Sequence, residues 1–539
     1  MKLLRSVQLF LLVVCCRHFT SCSGAYVDKH DDRFLSDVNL EHYYVMEEDA
    51  LSKADVMLRD DIMGADDEFQ KGPEVATLAS NLTEFKRLIN ETKILHRLAG
   101  PNLPDFLAHP INVYHLLSRL ATRWKAGLNM LMRAEQFKRW QVPAMVRRLQ
   151  KLNEGLPGVA ETSHVISYLA QLQRIYGIRT KDLAMGKVKD MTSLKPLTLD
   201  EQMNIAKRLH DTDEMRLALN WLGAIADSLT RLSPAQKEEL SFNETEVYHM
   251  QASSHYNLKN TQQALEITEK ILKIDPSCQV AQQNYKFFKK KADRRSASGF
   301  SDSVQVDKMS RYQRLCSRAA PRKLSKRKCR VVRDGLKYYK MESVHSRPEV
   351  VLFHDVISDK VASTLREYAQ NKQRDQAWSM KDKFRTPSIN VELVLSKLTR
   401  VHARREMRQL QKHLTNLARI MIRRPASWAG LQVVNVGLEG LHLFRHTNRL
   451  QLTPSKAKYK QDNVGAFLVF LNGSMGGGHA VLQKIGVSVS PEKGSVLFYY
   501  PSETRANSFC PVIGGSLWVA VQPIYESPRD FCEEKDEWD

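Results

Sequence analysis

Residues 431–521 hold three histidines whose type and spacing bear on metal chemistry, His442, His446 and His479. A non-haem iron centre needs two neutral imidazoles and a carboxylate in a facial triad, with coordination positions left open. Strand alternation puts His442 and His446 on one face and Arg445 and Thr447 on the other. A local bulge reverses that parity. Arg445 offers only donors and a fixed positive charge, so it ligates nothing. His479 follows three glycines but is a single imidazole, and the pair His354-Asp355 lacks a third ligand. These histidines read as surface or partly buried side chains. Arg445 reads first as a plug paired with an internal acid, and second as a cation that holds a carboxylate without redox chemistry.

A second constellation lies upstream. The run Tyr256-Asn257-Leu258-Lys259-Asn260, then Ala264-Leu265, then Leu272 to Asp275-Pro276 resembles one tetratricopeptide repeat. A single helical repeat cannot bury its own face, so Leu217-Ala218-Leu219-Asn220-Trp221 is assigned to a partner repeat. The unit opens at Thr198, where a glutamate three residues later makes a capping box. Its concave face suits an extended peptide; the alternative is that its aromatics are core.

The elements that must position these groups follow from periodicity. Residues 82–98 and 113–131 have helical apolar spacing on either side of a break at 101–110. Such long amphipathic helices associate with each other or with a second subunit, or form an ordinary bundle. The acidic stretch 47–68 ahead of them reads as mobile. Between 289 and 330 the chain is strongly basic with few apolar residues, and reads as a linker. From 348 the pattern turns to β: a strand at 350–353, helical pattern at 360–370 and 391–422, then strands at 431–436, 441–444, 466–471, 480–482, 495–500 and 517–521. Asn472-Gly473 and Gly476-Gly477-Gly478 are turns between them. Many short strands after helices imply a double-sheet jelly roll with flanking helices.

The chain carries a net charge of +21, which fits acidic partners or a well-solvated surface. The N-terminus argues against nucleic acid: Lys2 and Arg5 precede an apolar run at 9–16 and small residues follow, the pattern of a secretory signal peptide cleaved near Gly24. That run is too short to span a bilayer, and no second long apolar run occurs. An oxidising compartment permits two close-range disulfides, Cys316–Cys329 and Cys510–Cys532, leaving Cys278 single. Acceptor sequons at Asn81, Asn90, Asn243 and Asn472 fit the same compartment. The last residues are not a retention tetrapeptide, so retention in the endoplasmic reticulum requires a partner.

The whole mature chain resembles the alpha subunits of the animal collagen prolyl 4-hydroxylases. The resemblance rests on His109-Pro110-Ile111-Asn112 with Leu117, Leu120 and Trp124, on the tetratricopeptide-like unit, and on Phe353-His354-Asp355-Val356-Ile357-Ser358-Asp359. It continues through Leu431 to Gly437, Gly440, Gly477-Gly478, Pro491-Glu492-Lys493-Gly494 and Cys510-Pro511-Val512, with Gly515 and Trp518. It implies an α+β multidomain chain: a signal peptide (1–24), a helical N-terminal assembly domain (25–185), a tetratricopeptide-like peptide-binding domain (195–292), a basic linker with a disulfide loop (293–345) and a C-terminal double-stranded β-helix of the 2-oxoglutarate and iron dioxygenase type (346–539). It also implies iron(II), 2-oxoglutarate and ascorbate as cofactors, and protein disulfide isomerase and proline-rich or collagen-like chains as partners. Self-association through the N-terminal helices stays open.

The resemblance places the family's metal ligands at Arg445, Thr447 and Asn507, and the lysine that pairs with 2-oxoglutarate at Leu517. Val436 stands where tyrosine is common and Ala480 where threonine is usual. In the peptide-binding unit Tyr256 is kept, while Met250 and Ser253 replace tyrosines; Tyr248 and Tyr285 lie nearby without a role. An apolar side chain cannot neutralise a carboxylate. The expectation is a catalytically degenerate homologue in the endoplasmic-reticulum lumen that still binds peptide, protein disulfide isomerase or both. The alternatives are an active procollagen-proline 4-dioxygenase with an atypical site, and an assembly subunit that binds no peptide.

Overall fold

The structure is a computed structural model that describes residues 36–59, 73–136, 143–297, 309–317, 329–379, 390–393, 398, 400–422, 426–428, 430–438, 463–504 and 507–526. Helices come first: α1 (Asp37–Arg59), α2 (Pro73–Ala99), α3 (Pro110–Arg119), α4 (Lys125–Gln136), α5 (Pro143–Gly155) and α6 (Val159–Tyr176). A small hairpin, β1 (Lys187–Val188) with β2 (Met191–Thr192), closes this region. The start of α3 is written in its sequence. His109 is extended, its Nδ1 accepts the Ile111 N–H at 3.2 Å, and Pro110 takes the first helical position, where no N–H is needed. Helix α6 stops at Gly177, which is left-handed at φ 67°.

Next come α7 (Leu199–Asp211), α8 (Met215–Leu229), α9 (Glu244–Asn257), α10 (Thr261–Ile274) and α11 (Gln279–Ala297). Thr198 Oγ1 accepts the Glu201 N–H at 3.2 Å while the Glu201 carboxylate accepts the Thr198 N–H at 2.9 Å, the capping box expected for α7. Each helix packs on the next in chain order. Trp221 is fully buried, as are Ala218 and Ala264.

The β-rich region adds α12 (Arg311–Ser317), β3 (Cys329–Asp334), β4 (Lys337–Ser346), β5 (Glu349–His354), α13 (Asp359–Ser379), β6 (Asn390–Leu393), α14 (Val401–Met421), β7 (Ala426–Trp428), β8 (Leu431–Asn435), β9 (Asn463–Phe470), β10 (Ala480–Leu482), β11 (Val487–Val489), β12 (Val496–Tyr499), β13 (Asn507–Phe509) and β14 (Trp518–Glu526). The large sheet runs β3-β4-β5-β12-β9-β14-β8-β6, with β7 also on β14, and a smaller one runs β11-β10-β13. All recorded pairings among them are antiparallel. Period-two alternation sorts the large sheet's side chains. Phe353, Phe467, Val469, Phe498 and Trp518 meet the apolar stripes of α13 and α14, while Leu352, Leu468, Phe470, Leu497 and Val519 join residues of the small sheet in a second cluster.

By compactness the chain falls into two units. Residues 197–307 form part of one; 34–196 and 308–539 form the other, so the N-terminal helices and the β-rich region share a unit.

Several expectations are corrected. Cys316 is bonded to Cys510, with Cα atoms 5.6 Å apart, not to Cys329, and Cys510 is therefore not joined to Cys532. The reason is topological. Helix α12 packs on α6, β10 and β11, which buries Cys316 with Ile175, Val481 and Cys510, whereas Cys329 opens the edge strand β3 as an exposed free thiol. Cys532 lies outside the described residues. On reducing-agent-free digestion, the expected cross-linked peptide joins Cys316 to Cys510; a Cys316–Cys329 peptide would contradict this arrangement.

Residues 329–345, read as linker, are mostly strand. Their basic residues hide a period-two pattern that buries Tyr339 and Met341, and Gly335 makes the left-handed turn. Residues 391–393 pair with β8 instead of starting a helix, since so short a run takes the state that its neighbour offers. The acidic stretch from 47 is helical to Arg59, and Glu47 is fully buried.

Candidate functional site

Leu517, Val436 and Ala480 are remote in sequence but meet in one place. All three are buried in the cluster between the two sheets, with Val434, Leu482, Phe509, Val512 and Val519. Leu517 and Val436 are 0 % exposed and Ala480 is 3 % exposed. The Val436 N–H donates to the Leu517 carbonyl at 2.9 Å, and a Cβ on Gly478 would stand 3.1 Å from Leu517 Cδ2. Trp518, one residue on, points to the helix-covered face. Its indole Nε1 donates to Asp37 Oδ2 at 3.0 Å, and the Asn435 amide donates to Asp37 Oδ1. Arg374 of α13 pairs with Glu41 at 2.7 Å, so the start of α1 is tied to this sheet by hydrogen bonds and to α13 by charge.

Asn507 lies on β13 opposite Leu482. Arg445, Thr447, His442 and His446 lie outside the described residues. His479 is half-buried, and its carbonyl accepts the Cys510 N–H at 2.9 Å. His354 is held at both ring nitrogens, 2.9 Å from Glu342 and 2.9 Å from Glu492, while Asp355 pairs with Lys340 at 2.6 Å. Those bonds tie β4, β5 and the turn before β12 together, which is a scaffold role. Among the described residues no group of three or more His, Cys, Asp or Glu side chains is placed to hold a metal ion.

The loop after β13 is fixed from outside by three phenols, which the sequence reading missed. Tyr312 donates to the Phe509 carbonyl at 2.8 Å, Tyr176 to that of Pro511 at 2.7 Å and Tyr168 to that of Val512 at 2.6 Å. Burial pushes the Tyr312 and Tyr176 hydroxyls well above the usual phenol range, so both stay protonated donors. The opposite side of this loop meets the glycine turn, where Gly477 pairs with Val512. No local sequence signal announces these contacts, because each joins residues far apart in the chain.

In the middle unit, Tyr256 is half-buried against Phe287 and Phe288, with ring centroids 5.5 and 5.2 Å away. Ser253 Oγ is 3.1 Å from His210 Nε2, and burial lowers the His210 pKa. Met250 is half-buried, Tyr248 donates to Glu244 at 3.0 Å, and Lys289 lies over the Tyr285 ring. Of the sequon residues, Asn90 and Asn243 are exposed, and Asn243 caps α9. Asn472 instead bridges the Ser516 carbonyl and the Trp518 N–H, both at 2.7 Å. The Asn81 side chain lies outside the described residues.

Residues 74–190 match the family described as "Prolyl 4-Hydroxylase alpha-subunit, N-terminal region". Prolyl 4-hydroxylase subunit alpha-1 of Bos taurus is 21% identical over 487 residues, covering 84% of this chain and 88% of its own length. Subunit alpha-2 of Caenorhabditis elegans is 23% identical over 483 residues, covering 84% and 87%. Over most of its length the chain is similar to prolyl 4-hydroxylase alpha subunits, and residues 74–190 match that family's N-terminal region. The matched block is the one that contains His109-Pro110-Ile111-Asn112 and Trp124. Within it Asn112 bridges the Phe106 carbonyl and the Leu194 N–H, both at 3.1 Å, and Trp124 reaches Glu47. Among solved structures, the viral collagen prolyl hydroxylase of Paramecium Bursaria Chlorella virus-1 in its 2OG complex is 15% identical and covers 33% of this chain and 96% of its own, with a TM-score of 0.25. A score that low adds nothing to the assignment.

Proposed function

We propose that this chain is a catalytically degenerate prolyl 4-hydroxylase alpha-subunit homologue of the endoplasmic-reticulum lumen. In this reading residues 195–292 are a tetratricopeptide-like domain for proline-rich or collagen-like chains, and 346–539 are a double-stranded β-helix that no longer hydroxylates. Protein disulfide isomerase is the partner that retains it. Among the sequon side chains described, Asn90 and Asn243 are exposed for glycosylation.

The observation that carries the reading is the apolar burial of Leu517 with Val436 and Ala480. The resemblance puts the 2-oxoglutarate carboxylate beside Leu517, and a carboxylate taken out of water needs a cation or several donors. Leucine, valine and alanine supply none. At the metal positions the donor chemistry also fails, since arginine is a cation and threonine and asparagine are neutral oxygen donors in place of imidazole and carboxylate. These residues do not fit the cofactor pair, so no hydroxylation step is drawn through them.

The test is succinate formation by the full chain, co-purified with protein disulfide isomerase, given iron(II), 2-oxoglutarate, ascorbate and a proline-rich peptide. The expected result is no peptide-dependent succinate from a complex that still binds the peptide. Peptide-dependent turnover would restore the active-dioxygenase alternative. Absence of both turnover and peptide binding would leave an assembly subunit.

A further inference from the structure

We propose that the cavity between α12 and the β10–β11 turn binds a tetrahedral oxyanion, a phosphate or sulfate group on a small molecule, through Arg311 and Arg314. Neither arginine takes part in the features described above, and the inference is independent of the proposed function.

The cavity has a volume of about 430 Å³ and is lined, among the described residues, by Arg311, Arg314, Leu315 and Gly486. One water takes up about 30 Å³ of the liquid, so a phosphate group fits here together with an organic body. Half-buried Leu315 gives that body an apolar wall. Gly486 turns the chain between β10 and β11 at φ 74°, and a Cβ there would stand 3.1 Å from Arg311 Nη2. One guanidinium therefore lies against bare backbone. Arg314 is three residues on, a neighbour on the same helix face.

Two like charges on one helix face oppose each other unless an anion joins them. The surrounding chain brings none. Residues 309–317, 480–490 and 507–517 contain no Asp or Glu, and Lys484 adds a further cation on the turn. Helix α6 packs on α12, but its one acid, Glu161, is about 20 Å along the axis from Ile175, the residue that meets Cys316. The Glu161 carboxylate also accepts the Gly158 N–H at 2.7 Å.

The choice of anion follows from the donors. Each guanidinium presents a planar fork, and two forks on one group need at least three acceptor oxygens between them. Phosphate and sulfate have that many; a carboxylate has two. The platform is also fixed before any ligand arrives. Tyr312 donates to the Phe509 carbonyl at 2.8 Å and Cys316 is bonded to Cys510, so the helix carrying both arginines is held to the loop after β13.

The experiment titrates inorganic phosphate into the full chain by calorimetry, with sulfate and acetate in parallel at one ionic strength, so that screening is equal in all three. Phosphate and sulfate are expected to saturate one site, with acetate weaker by about fivefold or more. Arg311→Gln and Arg314→Gln should each weaken phosphate binding about tenfold, while Arg231→Gln, in the other unit, leaves it unchanged. Because a misfolded variant would also lose binding, a second measurement uses the unaltered protein. Phosphate should slow phenylglyoxal modification of Arg311 and Arg314 and leave Arg231 as reactive as before. No saturable phosphate binding, acetate binding as tight as sulfate, or Arg311 and Arg314 unprotected at saturating phosphate each overturns the proposal.

Discussion

Replacing Arg119 by alanine lowers the chain's stability at neutral pH by about 3–5 kcal/mol, the usual cost of leaving one member of a buried ion pair behind. The stranded group is Glu47, which is 0 % exposed. Its Oε1 accepts from Arg119 Nε at 2.6 Å and Trp124 Nε1 at 2.9 Å, and its Oε2 accepts from Arg119 Nη2 at 2.7 Å and His96 Nε2 at 2.8 Å. Burial alone would raise the Glu47 carboxyl. The Arg119 charge, with hydrogen bonds from His96 and Arg119, outweighs burial and holds it at about 2.

The sign with pH follows. A carboxyl depressed from 4.5 in the unfolded chain to about 2 in the fold contributes stability that is whole above 4.5 and lost as pH falls toward 2. Without Arg119 the buried carboxyl is raised, so the variant pays its penalty at neutral pH and sheds it on acidification. Denaturant midpoints of the two proteins should therefore converge as pH falls from about 5 to about 3. A Glu47→Gln/Arg119→Met double variant should recover part of the loss, since no charge is left stranded. If single and double variants lose the same amount at every pH, the effect is one of volume, and the charge account fails.

This network marks the limit of what the sequence made legible. Elements with a strong period or a cap were readable: α2, the start of α7, and strands β5, β8, β9, β10 and β12 fall where patterning puts them. Glu47 was not, because it sits in an acidic run whose composition resembles a solvated segment; only the pairing with Arg119, 72 residues on, makes it core. The same holds for Cys316 with Cys510, 194 residues apart, which lost to nearer cysteines on sequence distance alone. At the candidate site, the residue types at Leu517, Val436 and Ala480 were legible as a loss of polarity. That the loss is shared by one buried cluster needed the antiparallel register of β14 with β8. Tyr168, Tyr176 and Tyr312 carry no pattern that separates a clamp on a distant carbonyl from ordinary helix-face aromatics.

Gly477→Ala is expected to cost about 3 kcal/mol or more, the sum of a left-handed backbone and an overpacked contact. Gly477 has φ 71°, so any side chain there is strained. Space is the larger obstacle. A Cβ at this position would stand 2.1 Å from the Pro511 carbonyl oxygen and 2.7 Å from the Tyr176 hydroxyl. Neither can step aside, because that carbonyl accepts the Tyr176 O–H at 2.7 Å and Cys510 next to it is bonded to Cys316. Gly473 is the contrast: a Cβ there would meet only the Pro491 carbonyl at 3.7 Å, an ordinary contact, so Gly473→Ala should change stability by no more than about 0.5 kcal/mol. Urea midpoints of the two variants settle the matter. Near-equal midpoints would mean that the glycine turn can move away from the Cys510–Val512 loop. In that case the tyrosine clamps, and not close backbone contact, hold the end of the small sheet against the helices that precede it.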